Sequence, residues 1–269
     1  MKKDFRSKAV QKIVVIGESN AFGMCASDPR NEWVQTFANL IRDFQDEPLR
    51  LFNNSIPANV ISPRSTGYSF LPDIGRPSAV ERYKEDLISP DPDLAVIAFG
   101  LNDSRCGNPV ENFIEDLEII VSDTAENTNA LILLAGPYWN TQYNRDLWES
   151  LDPQPEWASG EYKAFAKTGR ELVASYIVKM AELAGKYGCI FVDLFTPTED
   201  CLWLMNEDHC HYNDLGQRVL GQLVFNALAC SCSFIGRKSK RIEAEAGLEV
   251  GNTGGAECMS RMIRGWLDR

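Results

Sequence analysis

Five short runs of apolar, often β-branched residues punctuate the chain, at 12–16, 51–53, 94–99, 131–135 and 189–193. Between them the period changes. Apolar positions recur every three or four residues over 33–44, 79–87, 110–124, 163–186 and 215–228, the spacing of one helical face. Hydrophobic runs alternating with amphipathic stretches predict an α/β fold. A run such as Leu94-Ala-Val-Ile-Ala-Phe99 is apolar throughout, which suits a parallel sheet covered by helices on both faces. The last helical stretch places Leu215, Val219, Leu223 and Ala227 at i, i+4 spacing, with Asn213 or Asp214 positioned to cap its start.

Two regions depart from the alternation. Residues 138–162 form a connection rich in aromatics and prolines, too long for a plain turn. After Cys230 the chain becomes polar, small and glycine-rich, with Gly251-Asn-Thr-Gly-Gly255 inside that stretch. The expected organisation is one domain over 1–230 and a C-terminal appendage over 231–269. The 269 residues suffice for one full-sized core, and no internal repeat is present.

Charge and cysteine content narrow the classes. A net charge of −11 disfavours a nucleic-acid partner; the basic cluster Arg237, Lys238, Lys240 and Arg241 reads as a solvated linker. The longest apolar runs fall short of the ~20 residues a membrane helix needs. The charged start leads into a strand-like run with no signal-peptide pattern. A cytoplasmic protein without a membrane partner is expected. The eight cysteines are scattered and include no CxxC pair, so neither a zinc ribbon nor a thioredoxin-like motif is indicated, and reduced thiols are expected.

Candidate chemistry lies at the ends of the apolar runs. The first leads into Gly17-Glu18-Ser19-Asn20, and a serine past a central strand lies where open α/β sheets place ligands. The run is neither GxSxG, GxGxxG nor a P-loop, which removes the α/β-hydrolase elbow and the common phosphate cradles; no cofactor is implied. The third run ends in Gly100-Leu-Asn102-Asp103. Near the end, Asp208-His-Cys-His211 places a carboxylate three residues before a histidine. In a loop, that spacing lets the carboxylate hold the imidazole and leave its other nitrogen free as a base. Both histidines of the chain, His209 and His211, lie here. A metal site built from Asp208, His209, Cys210 and His211 is the rival reading, disfavoured because neighbouring side chains in a loop diverge and no second ligand cluster accompanies them.

Taken together, Gly17-x-Ser19, Asn53-Asn-Ser-Ile-Pro-Ala-Asn59, Gly100-x-Asn102-Asp103 and Asp208-x-x-His211 resemble, in order, the four motif blocks of the SGNH (GDSL-like) hydrolases. The resemblance implies a flavodoxin-like three-layer α/β/α fold with a five-stranded parallel sheet. It implies Ser19 as nucleophile, His211 as base, Asp208 as its orienting acid, and an oxyanion hole formed by the N–H of Ser19, the N–H of Ala58 and the amide of Asn102. It spans about 200 residues, all but the tail. Three positions depart from the family pattern: Glu18 replaces Asp, Ala58 replaces Gly, and Tyr212 replaces Pro, the last expected to loosen the loop. Asp103 is expected to hold its own turn together.

The reading that follows is a serine esterase acting on short-chain or carbohydrate O-acyl esters, with no metal. An acyltransferase is its nearest variant, and a non-catalytic binding module on the same fold belongs to a different class. Among the aromatics of 138–162, Trp139 is the expected substrate contact because it is nearest the strand end.

Overall fold

The computed structural model describes residues 3–71, 75–160, 162–167 and 169–237. Five strands form one sheet: β1 (Lys12–Gly17), β2 (Arg50–Asn53), β3 (Leu94–Ala98), β4 (Leu131–Ala135) and β5 (Ile190–Val192). All neighbours are parallel, in the order β2-β1-β3-β4-β5. Each expected strand is present within a residue or two of its predicted ends.

The helices, in chain order, are α1 (Ser19–Phe22), α2 (Trp33–Phe44), α3 (Ala79–Tyr83), α4 (Leu101–Arg105), α5 (Val110–Asn127), α6 (Arg145–Ser150), α7 (Glu156–Ser159), α8 (Arg170–Tyr187) and α9 (Asp214–Ala229). Alternate strand residues serve opposite faces. Ile13, Val15, Val96 and Leu133 pack with Phe37 and Ile41 of α2 and with Leu220 and Val224 of α9. Val14, Ile16, Ile97 and Leu134 pack with Tyr83, with Phe113 and Leu117 of α5, and with Tyr176 and Met180 of α8. Those two cores make the fold a three-layer sandwich, and they explain why the central strands carry no polar alternation.

Two helices differ from the sequence expectation. The stretch 163–186 divides into a 3-10 turn, Lys163–Phe165, and α8, which starts only at Arg170. The break follows from Phe165, which is buried in a small separate cluster with Ala58, Val60, Leu71 and Cys106. The helix of 79–87 changes to a π turn at Lys84–Ile88.

The first compact unit runs to Arg237. Cys232, Phe234 and Ile235, at the start of the expected appendage, are buried in the α2–α9 core. The remainder of the appendage, with Lys238, Lys240, Arg241 and the glycine-rich stretch, lies outside the described residues. The seven described cysteines are all unbridged. Among the described residues no helix is long and apolar enough to cross a membrane.

Strand order makes the position of the chemistry intelligible. The chain moves from β1 outward to β2, then returns to β3 on β1's other side. Ligand crevices in such sheets open at the carboxyl ends of the strands where this reversal occurs. Ser19 follows β1 and Asn102 follows β3, so both stand at that crevice.

Candidate active site

Gly17 ends β1 where side chains have no room: a Cβ there would lie 2.6 Å from Ala21 Cβ and 2.8 Å from the Ala98 carbonyl oxygen. That close approach lets the chain turn at once into α1, with extended Glu18 before it and Ser19 as the first helical residue. The backbone N–H of a first helical residue has no partner within its helix.

The histidine comes from the far end of the chain, on a small hairpin. Met205 pairs antiparallel with Tyr212, and Asn206 N–H donates to the His211 carbonyl at 2.8 Å. At the tip, Asp208 Oδ1 accepts the N–H groups of Cys210 (3.0 Å) and His211 (2.9 Å). His209 takes φ 56° to close this turn and does not line the cleft at Ser19. Tyr212 is fully buried against Tyr138, ring centroids 4.3 Å apart. The loop is therefore not loosened by the loss of proline; pairing and a buried ring hold it instead.

His211 Nδ1 lies 2.5 Å from Asp208 Oδ2, and His211 Nε2 lies 2.9 Å from Ser19 Oγ. Burial pushes Asp208 upward, but the hydrogen bond and charge of His211, with the two backbone N–H groups, outweigh it and hold the carboxyl well below the usual carboxylate range. Against an ionised Asp208, the neutral imidazole keeps its proton on Nδ1 and presents Nε2 as an acceptor to the serine hydroxyl. An imidazole held this way can draw a proton from Ser19.

On the other side of the serine, Ala58 takes φ 60°, the left-handed region that favours glycine. Among the described residues its N–H meets no acceptor. Asn102 Nδ2 donates to the Asn59 carbonyl at 3.0 Å, while its Oδ1 accepts from Arg105 Nη1 at 3.3 Å. These two contacts fix which end of the amide is which. Ser19, Ala58, Asn102, Asp208 and His211 all line one cleft of about 300 Å³. All five therefore converge.

A GDSL-like lipase/acylhydrolase family model matches residues 13–224, spanning all five strands and the His211 hairpin. The chain belongs to this family. It is thus an ester hydrolase. Solved structures of similar fold include a lipase/acylhydrolase from Enterococcus faecalis (20% identity, 80% of this chain and 94% of that one, TM-score 0.56). A catalytic mutant of an acetylxylan esterase from Geobacillus stearothermophilus has 17% identity, with 85% and 96% covered and TM-score 0.56. An α/β hydrolase enzyme from the metagenome of Lake Arreo, Spain, has 18% identity, with 84% and 98% covered and TM-score 0.58. A comparison with curated proteins finds no match.

Several residues shape the site of this GDSL-like hydrolase without a clear mark in its sequence. Glu18, beside the candidate nucleophile, is buried and uses both oxygens as a cap for α4, accepting Leu101 N–H and Asn102 N–H at 2.8 Å each. Burial, reinforced by nearby Asp103 and opposed by those two bonds, pushes its carboxyl up to about 8. Asp103 reaches beyond its own turn to the Ile61 N–H at 3.0 Å, and burial pushes it up to about 7. Arg82, also buried, donates to the carbonyls of Gly17 (3.2 Å) and Asn54 (2.7 Å) and to Asn59 Oδ1 (3.0 Å), with Asp86 as its counter-ion at 2.8 Å. It joins the serine turn to the Ala58 loop. The capping box Ser78…Glu81 marks where α3 begins, but nothing in the sequence says that Arg82 turns inward.

Trp139 is placed differently from expectation. It is fully buried in the α2–α9 core, with its backbone N–H donating to Thr198 Oγ1 at 3.3 Å, and it does not line the cleft. The chain turns inward directly after β4, so Tyr138 and Trp139, the first aromatics past the strand end, become packing. Trp157, Tyr162 and Phe165 line the cleft instead. The 138–162 connection also grips the histidine hairpin: Tyr138 Oη, Thr141 Oγ1 and Trp157 Nε1 each donate, at 2.8 Å, to the carbonyls of Cys210, His209 and Asp208 respectively. Cys25 adds its Sγ at 3.5 Å from Asp208 Oδ2. Among the described residues, Cys25, Asp208 and His211 form the one group whose ligand atoms are close enough to share a metal ion, all within 4.8 Å. Asp208 Oδ2 is already bonded to both of the others.

Proposed function

We propose that this chain is a serine esterase in which Ser19, His211 and Asp208 act as the triad on short-chain or carbohydrate O-acyl esters. The observation that carries the reading is the continuous hydrogen-bonded run Ser19 Oγ–His211 Nε2, His211 Nδ1–Asp208 Oδ2. In the acylation step Ser19 Oγ attacks the ester carbonyl as its proton passes to Nε2; the same proton then goes to the leaving alcohol. Water, deprotonated by His211, releases the acid. The developing oxyanion would meet the N–H groups of Ser19 and Ala58 and the second hydrogen of Asn102 Nδ2, each such donor worth about 10²–10³ in rate.

The substrate class rests on the cleft. Its volume of about 300 Å³ suits a small acyl group and part of an alcohol, and Trp157, Tyr162 and Phe165 supply flat walls against which a sugar ring can stack. The similarly folded acetylxylan esterase is in keeping with that choice. A fluorophosphonate probe should label the wild type and fail on Ser19→Ala, which should fold normally and lose ester turnover by several orders of magnitude. More than a few per cent of wild-type turnover in Ser19→Ala would refute the assignment.

A further inference from the structure

Two arginines in the described fold, Arg82 and Arg105, are each only 5% exposed. Arg82 is neutralised by Asp86 and spends its donors on backbone and amide oxygens. Arg105 is different. Its Nε donates to Gln142 Oε1 at 2.5 Å and its Nη1 to Asn102 Oδ1 at 3.3 Å, both neutral acceptors. Among the described residues it has no carboxylate partner, and its Nη2 meets no acceptor. The guanidinium lies 4.5 Å from the Trp157 ring centroid and 5.8 Å from that of Phe165, and it lines the cleft that holds Ser19. Glu18 is near enough to feel this charge, but both its oxygens are taken by Leu101 and Asn102, and burial favours its neutral form.

A guanidinium withdrawn from water without a counter-ion is costly, and ring faces with two neutral acceptors offset only part of that cost. A second arginine lines the same cleft. Arg76, partly exposed, donates from Nη1 to the Pro57 carbonyl beside Ala58, and it too has no ion-pair partner among the described residues. Among the described residues, this cleft thus presents two guanidinia without a carboxylate partner, one bonded to the Asn102 amide and one to the Pro57 carbonyl. A planar fork with a free edge, walled by flat rings, fits a planar carboxylate.

We propose that the ester taken by this cleft carries a carboxylate, bound by the free Nη2 edge of Arg105 with Arg76 as a second cationic contact. The inference rests on the esterase reading of the same cleft, and it adds a selection by charge that neither the triad nor the family requires. Arg105 is then a specificity residue. Its contact with Asn102 couples an occupied anion site to the amide that faces the reacting carbonyl.

The test uses the full chain and two acetate esters of equal size, 4-acetoxybenzoate and its neutral counterpart 4-acetoxybenzamide. Wild type should prefer the charged ester in kcat/KM by about 10- to 100-fold, the range expected for a hydrogen bond to a charged group. Arg105→Gln should bring the two substrates to within a few-fold of each other, and Arg76→Gln should narrow the gap. Lys179→Gln, an exposed cation on α8 paired with Glu182, should leave the ratio as in wild type. Equal rates on both esters in wild type would overturn the proposal. So would an Arg105→Gln variant that slows both by the same factor, since the arginine would then only position Asn102. Calorimetric binding of the two compounds to Ser19→Ala separates this inference from the esterase reading. Tighter binding of the carboxylate with no turnover in wild type would sustain the anion site and remove the esterase; turnover with equal binding would do the reverse.

Discussion

The carboxylate of Glu18 accepts the backbone N–H of Asn102 at 2.8 Å, so the residue before the candidate nucleophile holds the turn that carries the candidate oxyanion amide. Both ends of the candidate reaction centre are tied through one buried side chain. The longer carboxylate at this position spans from the end of β1 to the start of α4 and closes the gap between two strands' turns.

That tie predicts a pH signature in stability. Burial raises Glu18 to about 8 and Asp103 to about 7, so the folded state holds protons that the unfolded chain releases at ordinary carboxylate values. Stability contributed by these two groups is fully present below pH ~4 and is lost as pH rises toward 8, with a limiting slope of about 1.4 kcal/mol per pH unit for each. Glu18→Gln removes one titration. Its urea midpoint, lower overall because an amide cannot accept both N–H groups, should gain on wild type steadily from pH 5 to 8. A difference that stays constant with pH would show that Glu18 is ionised throughout.

Asp208 supports the next expectation. Its carboxyl is held far below the usual range, so it remains charged wherever the fold persists. Asp208→Asn keeps an oxygen for the Cys210 and His211 N–H groups but replaces the acceptor at Nδ1 with a donor. Under the proposed mechanism kcat should fall by about 10³–10⁴, while circular dichroism and thermal midpoint change little. A variant retaining a tenth of wild-type kcat would remove Asp208 from the triad.

Arg82 offers a prediction about scaffolding. Arg82→Met removes donors from Gly17 O, Asn54 O and Asn59 Oδ1 together. Leaving buried acceptors unpaired costs about 1–3 kcal/mol for each group, so denaturation should shift by several kcal/mol, measured by urea titration. Ester turnover should fall at temperatures where the variant is still folded, because the serine turn and the Ala58 loop lose their common tie. Full turnover in the folded variant would show that other contacts suffice.

Trp139 and Trp157 should separate cleanly. Trp139→Ala empties a fully buried site and should cost about 3–5 kcal/mol of stability without changing the ranking of ester substrates. Trp157→Phe keeps a ring at the cleft but removes the N–H that holds the Asp208 carbonyl; it should change kcat/KM unequally across a panel of acyl chains and alcohols. A changed ranking in Trp139→Ala would restore that residue to the substrate pocket.

The sequence alone determined the layered architecture, because fully apolar strands such as Leu94–Ala98 and helices with one apolar face can satisfy their burial only in a covered parallel sheet. It also singled out Ser19, Asn102, Asp208 and His211 as candidates, because their short motifs fall beside strand ends or a helix start, and the fold brings all four to one cleft. What it could not determine was the inward or outward choice of residues on long flexible stems and in long connections. Arg82 and Arg105 look like ordinary helix-surface cations in one dimension; only the assembled fold shows both drawn inside, Arg82 paired with Asp86 and Arg105 without a carboxylate partner among the described residues. Trp139 and Trp157 belong to the same connection, and only packing sends the first into the core and the second to the cleft. Period and motif are set by neighbours along the chain, whereas these choices are set by partners 23 to 65 residues away for Arg82 and 51 for Trp157, which no local pattern encodes.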